Sequence, residues 1–191
     1  FVVFAQIDNG FLIVQEDTTY KNKFGFAFLN QKGDTVTRLD TARYYMCFND
    51  TIQYFAIVAI GNKPGWWAID RHENVLFEVF NTVDGEPSPD ELHEGMIRIV
   101  DSAGKIGFAN YKGRVVIAPQ FEAATSFKNG KAIIGKACKQ VLWCCKGAHA
   151  DKHYLLQCSK TGYINTKGKI LTMGNLTLAQ MKQKLAWPDD E

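Results

Sequence analysis

The sequence is short of chain-breaking residues, with only 5 Pro and 16 Gly among 191 residues. It has no apolar run near the roughly 20 residues that span a bilayer as a helix, so we expect no transmembrane segment. Charged residues reach only 22% while hydrophobic residues reach 46%, a balance that excludes a disordered chain. Aromatic residues are plentiful at 13%, which favours strands joined by tight turns.

The sequence also lacks the local patterns that mark common active sites. It contains no Gly-x-Ser-x-Gly elbow, no His-x-x-Glu-His helix motif and no glycine-rich phosphate loop. We therefore predict no catalytic residues, no cofactor and no metal site, and we expect that the protein is not an enzyme.

Acidic residues are scarce in the second half of the chain. Residues 1–100 carry 8 Lys/Arg and 14 Asp/Glu, whereas residues 101–191 carry 14 and 6. Between residues 102 and 188 only Glu122 and Asp151 are acidic. Such asymmetry predicts an anionic partner or pairing between unlike ends. We predict a basic face for binding that partner, formed by Lys112, Arg114, Lys128, Lys131, Lys136 and Lys139.

The most informative pattern is a turn that occurs four times. Its Asn or Asp lies at residues 30, 70, 110 and 165, at spacings of 40, 40 and 55. The side chain of this residue can accept a hydrogen bond from the backbone two residues on, and a Gly three residues later accepts a left-handed conformation. The second copy has Glu73 where the others have Gly. Either Glu73 is strained, or Asn74 takes the positive φ through a shifted turn.

A glycine–aromatic pair precedes each turn, namely Gly25-Phe26, Gly65-Trp66, Gly107-Phe108 and Gly162-Tyr163. In the third copy, residues 104–132 continue through Asn110, Lys112-Gly113, Val116-Ile117, Pro119-Gln120-Phe121, Phe127 and Asn129-Gly130. This segment resembles the bacterial WG-repeat family, and the match is weaker over residues 23–101 and 160–173. The resemblance implies a repeated β architecture that displays a surface, and it implies no shared reaction.

These patterns predict an all-β fold with four to five repeated β-hairpin units of about 40 residues. We expect the units to form one domain over residues 1–191, in a propeller-like or arc-shaped array. An insertion hairpin is predicted over residues 138–158, and a C-terminal helix over 177–187, capped by Thr177. Residues 1–6 are either a first strand or the remnant of a signal peptide.

The insertion is rich in cysteine and histidine. Three alternatives stay open for its cysteines: they form a disulfide, they are reduced and buried, or they bind zinc. If the hairpin turns near His149, Cys144 lies roughly opposite Tyr154 and Cys138 comes near Cys158 or Lys160, so Cys138–Cys158 is the preferred disulfide. The residues concerned are Cys138, Cys144, Cys145, His149, His153 and Cys158.

Two tryptophans, Trp67 and Trp143, have no counterpart in the other copies and are predicted to be exposed contact residues. The function that we predict is a non-enzymatic protein-interaction or scaffold module, a subunit of a larger assembly whose partner carries an acidic patch. An alternative is binding of an anionic polymer or nucleic acid through the Lys-rich half, 102–188, although Lys outnumbers Arg there by 13 to 1. A second alternative is an enzyme that uses the Cys/His insertion. An extracellular or cell-envelope location is favoured over a cytoplasmic one.

Overall fold

The computed structural model describes five stretches of the chain, which are residues 12–17, 25–40, 42–82, 88–144 and 153–187. Within them the chain is mostly β-strand with one short helix, so the predicted all-β class is confirmed. The predicted first strand at residues 1–6 lies outside the described residues.

The chain forms two compact units. Unit 1 contains residues 1–90 and 111–113, and unit 2 contains residues 91–110 and 114–191. Each unit has an apolar core of its own. That residues 1–191 act as a single domain stays a prediction.

Unit 1 is built from short antiparallel strands. They are β1 Leu12–Asp17, β2 Gly25–Leu29, β3 Thr35–Leu39, β4 Tyr44–Cys47, β5 Thr51–Ile52, β6 Ala56–Ile60, β7 Trp66–Ile69, β8 Val75–Val79, β9 Asn81–Thr82 and β10 Ser88–Pro89. One sheet has the strand order β3-β2-β1-β5. In a second sheet, β4 pairs with β6, β6 with β7 and β7 with β8. Separately, β9 pairs with β10. Phe28, Leu39, Tyr44 and Ile69 pack together in the core and are at most 1% exposed.

Unit 2 has fewer and longer strands. They are β11 Met96–Val100, β12 Ile106–Asn110, β13 Val115–Phe121, β14 Ala123–Ala124, β15 Lys131–Cys144, β16 His153–Asn165 and β17 Ile170–Gly174. β11, β12 and β13 pair in chain order, and β14 to β17 form a second sheet in chain order. The core includes Phe108, Phe121, Ile134 and Ile164, each fully buried. Full burial of one such side chain contributes roughly 1.5–3 kcal/mol to folding.

The four predicted turns are confirmed, and each joins two antiparallel strands. They connect β2 to β3, β7 to β8, β12 to β13 and β16 to β17. In every copy the Asx side chain accepts a hydrogen bond from the N–H four residues later, at 2.9 Å for Asn30 and 3.0 Å for Asn165. The turn therefore satisfies its own backbone donors without help from the rest of the chain.

A fifth turn of the same kind lies at Asp101, between β11 and β12. The Asp101 carboxylate accepts hydrogen bonds from the N–H groups of Ala103 at 3.0 Å and Lys105 at 2.9 Å, and Gly104 has φ +71°. The Asp-x-x-Gly spacing is present in the sequence, but no glycine–aromatic pair precedes it. For that reason the pattern did not predict this turn.

Glu73 takes the place of the turn glycine without shifting the turn. Its φ is +62°, in the left-handed region where the other copies have Gly33, Gly113 and Gly168. The Glu73 carboxylate lies 3.8 Å from the Arg43 guanidinium. Burial, and then the negative charge of Glu73, raise the pKa of the neighbouring Tyr44 to about 12. Because Glu73 itself has the positive φ, the alternative observed is a strained Glu73 and not a turn shifted to Asn74.

In the third and fourth copies, the glycine of the glycine–aromatic pair is required by close approach of the return strand. A Cβ added to Gly107 would lie 2.5 Å from the Ile117 carbonyl oxygen, and one added to Gly162 would overlap the Thr172 carbonyl. Both contacts are with backbone atoms, which cannot move aside as a side chain can. In these two copies the register with the return strand shifts next to the pair, between Ile106 and Phe108 and between Tyr163 and Ile164.

The predicted C-terminal helix is confirmed in a shorter form, α1, which spans Leu178–Lys184. Thr177 and Gln180 form a capping box at its start. Met181 is fully buried, and Leu178 and Leu185 on the same face are half-buried. In the described part of the chain, no helix has the length and apolar character needed to cross a membrane.

Candidate interaction site

The predicted insertion is the far end of one long hairpin. β15 and β16 pair continuously from Lys131–Asn165 to Leu142–Tyr154. We call residues 131–136 and 160–165 the proximal half, and residues 138–144 and 153–158 the distal ribbon. The turn at residues 145–152 lies outside the described residues.

A disulfide joins the two strands where the distal ribbon begins. Cys138 pairs with Cys158 in register, their Cα atoms are 3.8 Å apart, and their sulfurs are bonded. Cys144, expected roughly opposite Tyr154, pairs with the adjacent His153, and Tyr154 pairs with Leu142. The hairpin is thus centred one residue nearer the N-terminus than the sequence suggested.

Ala137 interrupts the regular geometry of β15 beside the disulfide. Its φ is +49°, an unusual conformation for a residue with a Cβ. The next N–H, that of Cys138, donates to the Glu122 carboxylate at 2.6 Å. Lys105 lies 3.3 Å from the other oxygen of the same carboxylate. A carboxylate thus occupies the outer edge of β15, where a neighbouring strand would otherwise place a carbonyl.

The charge on Glu122 is stabilised by these donors. The hydrogen bond from the Cys138 N–H, followed by that from Lys105, lowers the pKa of the Glu122 carboxyl group. Glu122 therefore stays ionised as an acceptor at the strand edge.

The structure brings part of the predicted basic face together. Lys128 and Lys131 bridge across a two-residue turn in which Asn129 and Gly130 both have positive φ. The Glu94 carboxylate accepts hydrogen bonds from the N–H groups of Asn129 at 2.6 Å and Gly130 at 2.9 Å. Lys131 Nζ lies 5.4 Å from the centre of the Tyr163 ring, which orders this lysine.

The remaining basic residues are more widely spread. Lys136 and Lys139 follow Lys131 along β15, so they are spaced over roughly 27 Å at about 3.4 Å per residue. Lys139 and Arg114 are exposed, and Lys136 is half-buried. Lys112 is exposed but belongs to unit 1, with its Nζ 5.5 Å from the Tyr111 ring centre. Unit 2 therefore carries five of the six predicted residues.

The two predicted aromatic contacts have different outcomes. Trp67 is half-buried and packs against the core of unit 1. Its indole N–H donates to the Pro64 carbonyl at 3.0 Å, and Lys63 Nζ lies 4.5 Å from its ring centre. Only part of its surface is free for a partner. The backbone of Trp143 lies in β15, but its side chain is outside the described residues.

The Cys/His alternative cannot be built from the described side chains. Cys145 and His149, and the side chains of Cys144 and His153, lie outside them. Among the side chains that are described, no group of three His, Cys, Asp or Glu residues is placed to hold a metal ion. Cys47 is half-buried, and burial raises the pKa of its thiol to about 11, so the thiol stays protonated.

The distal ribbon has few neighbours among the described residues. β14 pairs with β15 only at Ile134 and Gly135, and β17 pairs with β16 only at residues 161–164. Leu142 is 42% exposed and Leu156 is 45% exposed. Because Leu142 pairs with Tyr154 and Gln140 with Leu156, the two leucines are diagonal neighbours on one face. An isolated two-stranded ribbon is marginally stable in water, and a partner that covers its exposed apolar side chains would stabilise it. The distal ribbon is therefore a candidate binding surface.

The third repeat copy matches a known family. Residues 106–136 match the family model of the WG containing repeat. The resemblance predicted from residues 104–132 is therefore confirmed. The WG-repeat segment begins with β12 and ends at Lys136 in β15, at the start of the distal ribbon. No curated protein matches the chain.

Sequence reasoning missed two carboxylates that shape this site. Glu122 lies inside the WG-repeat segment and binds the edge of β15, and Glu94 binds the turn at Asn129. The sequence signal for Glu122 was its rarity, because it is one of only two acidic residues between 102 and 188. The sequence signal for Glu94 was that Glu94-Gly95 and Asn129-Gly130 each place a Gly after a polar residue just before a strand. In the structure the two are equivalent turns, each with two positive φ values.

Proposed function

We propose that this protein is a non-enzymatic protein-interaction or scaffold module, acting as a subunit of a larger assembly. The observation that carries the proposal is a series of lysines beside and along β15, at Lys128, Lys131, Lys136 and Lys139, together with exposed apolar residues on the distal ribbon. A lysine-rich strand that also exposes apolar residues favours encounter with an acidic protein surface. The partner is therefore a protein with an acidic patch.

Two broader features belong to the same proposal. The repeated hairpin units form a propeller-like or arc-shaped array that displays this surface. The module acts in an extracellular or cell-envelope compartment, because the Cys138–Cys158 disulfide is of a kind that persists in oxidising surroundings.

The test replaces Lys128, Lys131 and Lys136 with Glu. Parent and triple variant are used for affinity purification from the source at low and high salt, and retained proteins are quantified by mass spectrometry. The expected result is a protein that the parent retains at low salt and the triple variant loses, because exposed charges accelerate encounter and are screened by salt.

A matched control changes the same charge elsewhere in unit 2, with Lys167, Lys169 and Lys184 replaced by Glu. These side chains are exposed and lie on the turn after β16 and on α1. The control should retain the partner. Equal retention by all three proteins would contradict the basic face as the binding surface.

Nucleic-acid binding remains the second candidate because the same lysines would attract phosphates. It predicts that nuclease treatment removes the retained material, and that affinity for a single-stranded oligonucleotide falls linearly with salt on logarithmic axes. Retention of the partner after nuclease treatment favours the protein-binding proposal.

A further inference from the structure

Among the described residues, no strand pairs with the outer edge of β15 in the distal ribbon. β14 ends at Ala124 and pairs with β15 no further than Gly135, so among the described residues no strand covers β15 beyond Cys138. The Cys138 N–H points away from β16, because it donates to Glu122 at 2.6 Å. Cys138–Cys158 is therefore a pair that does not exchange backbone hydrogen bonds.

This orientation fixes the direction of the next donors. In an antiparallel ladder, pairs with and without hydrogen bonds alternate, and the register from Cys138 to Leu142 is unbroken. The N–H and C=O groups of Gln140 and Leu142 therefore point out of the ribbon on the side where Glu122 binds. The groups of Leu156, which pairs with Gln140, point out of the opposite edge of β16.

The charges near this edge select the kind of strand that can bind. Lys136 and Lys139 lie on β15, and the Glu122 carboxylate held at the edge is bound by an outward N–H and by Lys105. Lysines on an edge repel a second copy of the same strand and attract an acidic one. The exposed Leu142 provides apolar contact for a side chain of the incoming segment, whereas Leu156 lies on β16 and is separated from that segment by β15.

We propose that the outer edge of β15, at residues 139–144, binds an extended acidic segment of a partner protein by strand addition. The inference rests on the proposed function, and it specifies how the partner is held. Backbone hydrogen bonds to Gln140 and Leu142 supply affinity, and the lysines supply the preference for acidic side chains.

The test uses a synthetic nine-residue peptide of alternating Glu and Val, with blocked ends, as the probe. Binding to the full chain is measured by fluorescence anisotropy at low salt, and amide exchange is measured by nuclear magnetic resonance. The expected result is slower exchange of the Gln140 and Leu142 amides when the peptide is bound. The same peptide methylated at alternate amide nitrogens should bind at least tenfold more weakly.

Two matched proline variants distinguish the edges. Gln140→Pro removes an outward donor from β15, and Leu156→Pro removes an outward donor from β16, while neither removes a bond between the two strands. Gln140→Pro should weaken peptide binding at least tenfold, and Leu156→Pro should leave it within a factor of two. The Cys138–Cys158 bond and the circular dichroism spectrum report whether each variant is folded, and the methylated peptide tests the edge without changing the protein.

The outcomes separate this inference from the proposed function. Equal binding of the methylated and unmethylated peptides, no binding of either, or protection of Leu156 instead of Gln140 would overturn strand addition at β15. The proposed function itself fails if the Lys128, Lys131 and Lys136 variant retains the native partner as the parent does, or if nuclease treatment removes the retained material.

Discussion

The two halves of the β15–β16 hairpin have the same pairing but different surroundings. In the proximal half, β14 and β17 flank the pair, and Ile134 and Ile164 are fully buried in the core of unit 2. In the distal ribbon no described strand flanks the pair, and Leu142 and Leu156 are exposed. Strand pairing alone therefore does not determine the role of a segment. The proximal half stabilises the unit, while the distal ribbon presents a surface.

The largest expected contrast comes from one truncation in each half. Ile134→Ala should lower the free energy of unfolding by about 2–5 kcal/mol, because it leaves a cavity in the core. Leu142→Ala, a substitution at an exposed position of the same strand, should change it by less than about 1 kcal/mol. Urea unfolding followed by circular dichroism measures both values. Equal losses would show that the distal ribbon is packed as tightly as the proximal half.

A smaller effect is expected from removing the bond at the boundary. Replacing Cys138 and Cys158 with Ser opens a loop with a sequence separation of 20 residues. The free energy of unfolding should fall by about 3 kcal/mol, mainly because the unfolded chain gains freedom. Amide exchange should accelerate more at Lys139 and Val141, whose N–H groups point toward β16, than at Ile134. Uniform acceleration along β15 would contradict the division into two halves.

The smallest effect concerns Glu122, and it depends on pH. Because the pKa of Glu122 is lowered in the folded chain, folding favours its charged form. This contribution is present above the ordinary pKa of Glu, about 4.3, and is lost as the pH falls through the lowered value. Glu122→Gln should therefore be less stable than the parent at neutral pH, and the difference should shrink below about pH 4.3. Urea unfolding over this pH range measures it, and a constant difference would contradict a role for the charge.

Local sequence patterns predicted the turns and the strands that they join. The Asx side chains at 30, 70, 110 and 165 accept hydrogen bonds within their own turns, so the residues of the pattern themselves stabilise each turn. The helix was predicted for the same reason, because Thr177 and Gln180 cap it locally.

The candidate site was less predictable because its determinants are distant in sequence. The bond between Glu122 and the Cys138 N–H depends on the positive φ of Ala137, a conformation for which alanine gives no signal. The partner of Cys144 was predicted one residue away because the predicted turn was centred on His149. In the structure the distal ribbon keeps the register of the proximal half, in which Lys131 pairs with Asn165. The basic residues were found from charge alone, but only the fold shows that four of them lie on or beside one strand.

The self-contained turns have a consequence for how the chain folds. Each of these hairpins joins strands that are neighbours in sequence, from β11 to β13 and again from β15 to β17, so its pairing can begin at a single loop. Closing a short loop costs little entropy. Individual hairpins can therefore acquire their register before distant parts of the chain have met. A nascent chain would thus begin to fold hairpin by hairpin during its own synthesis.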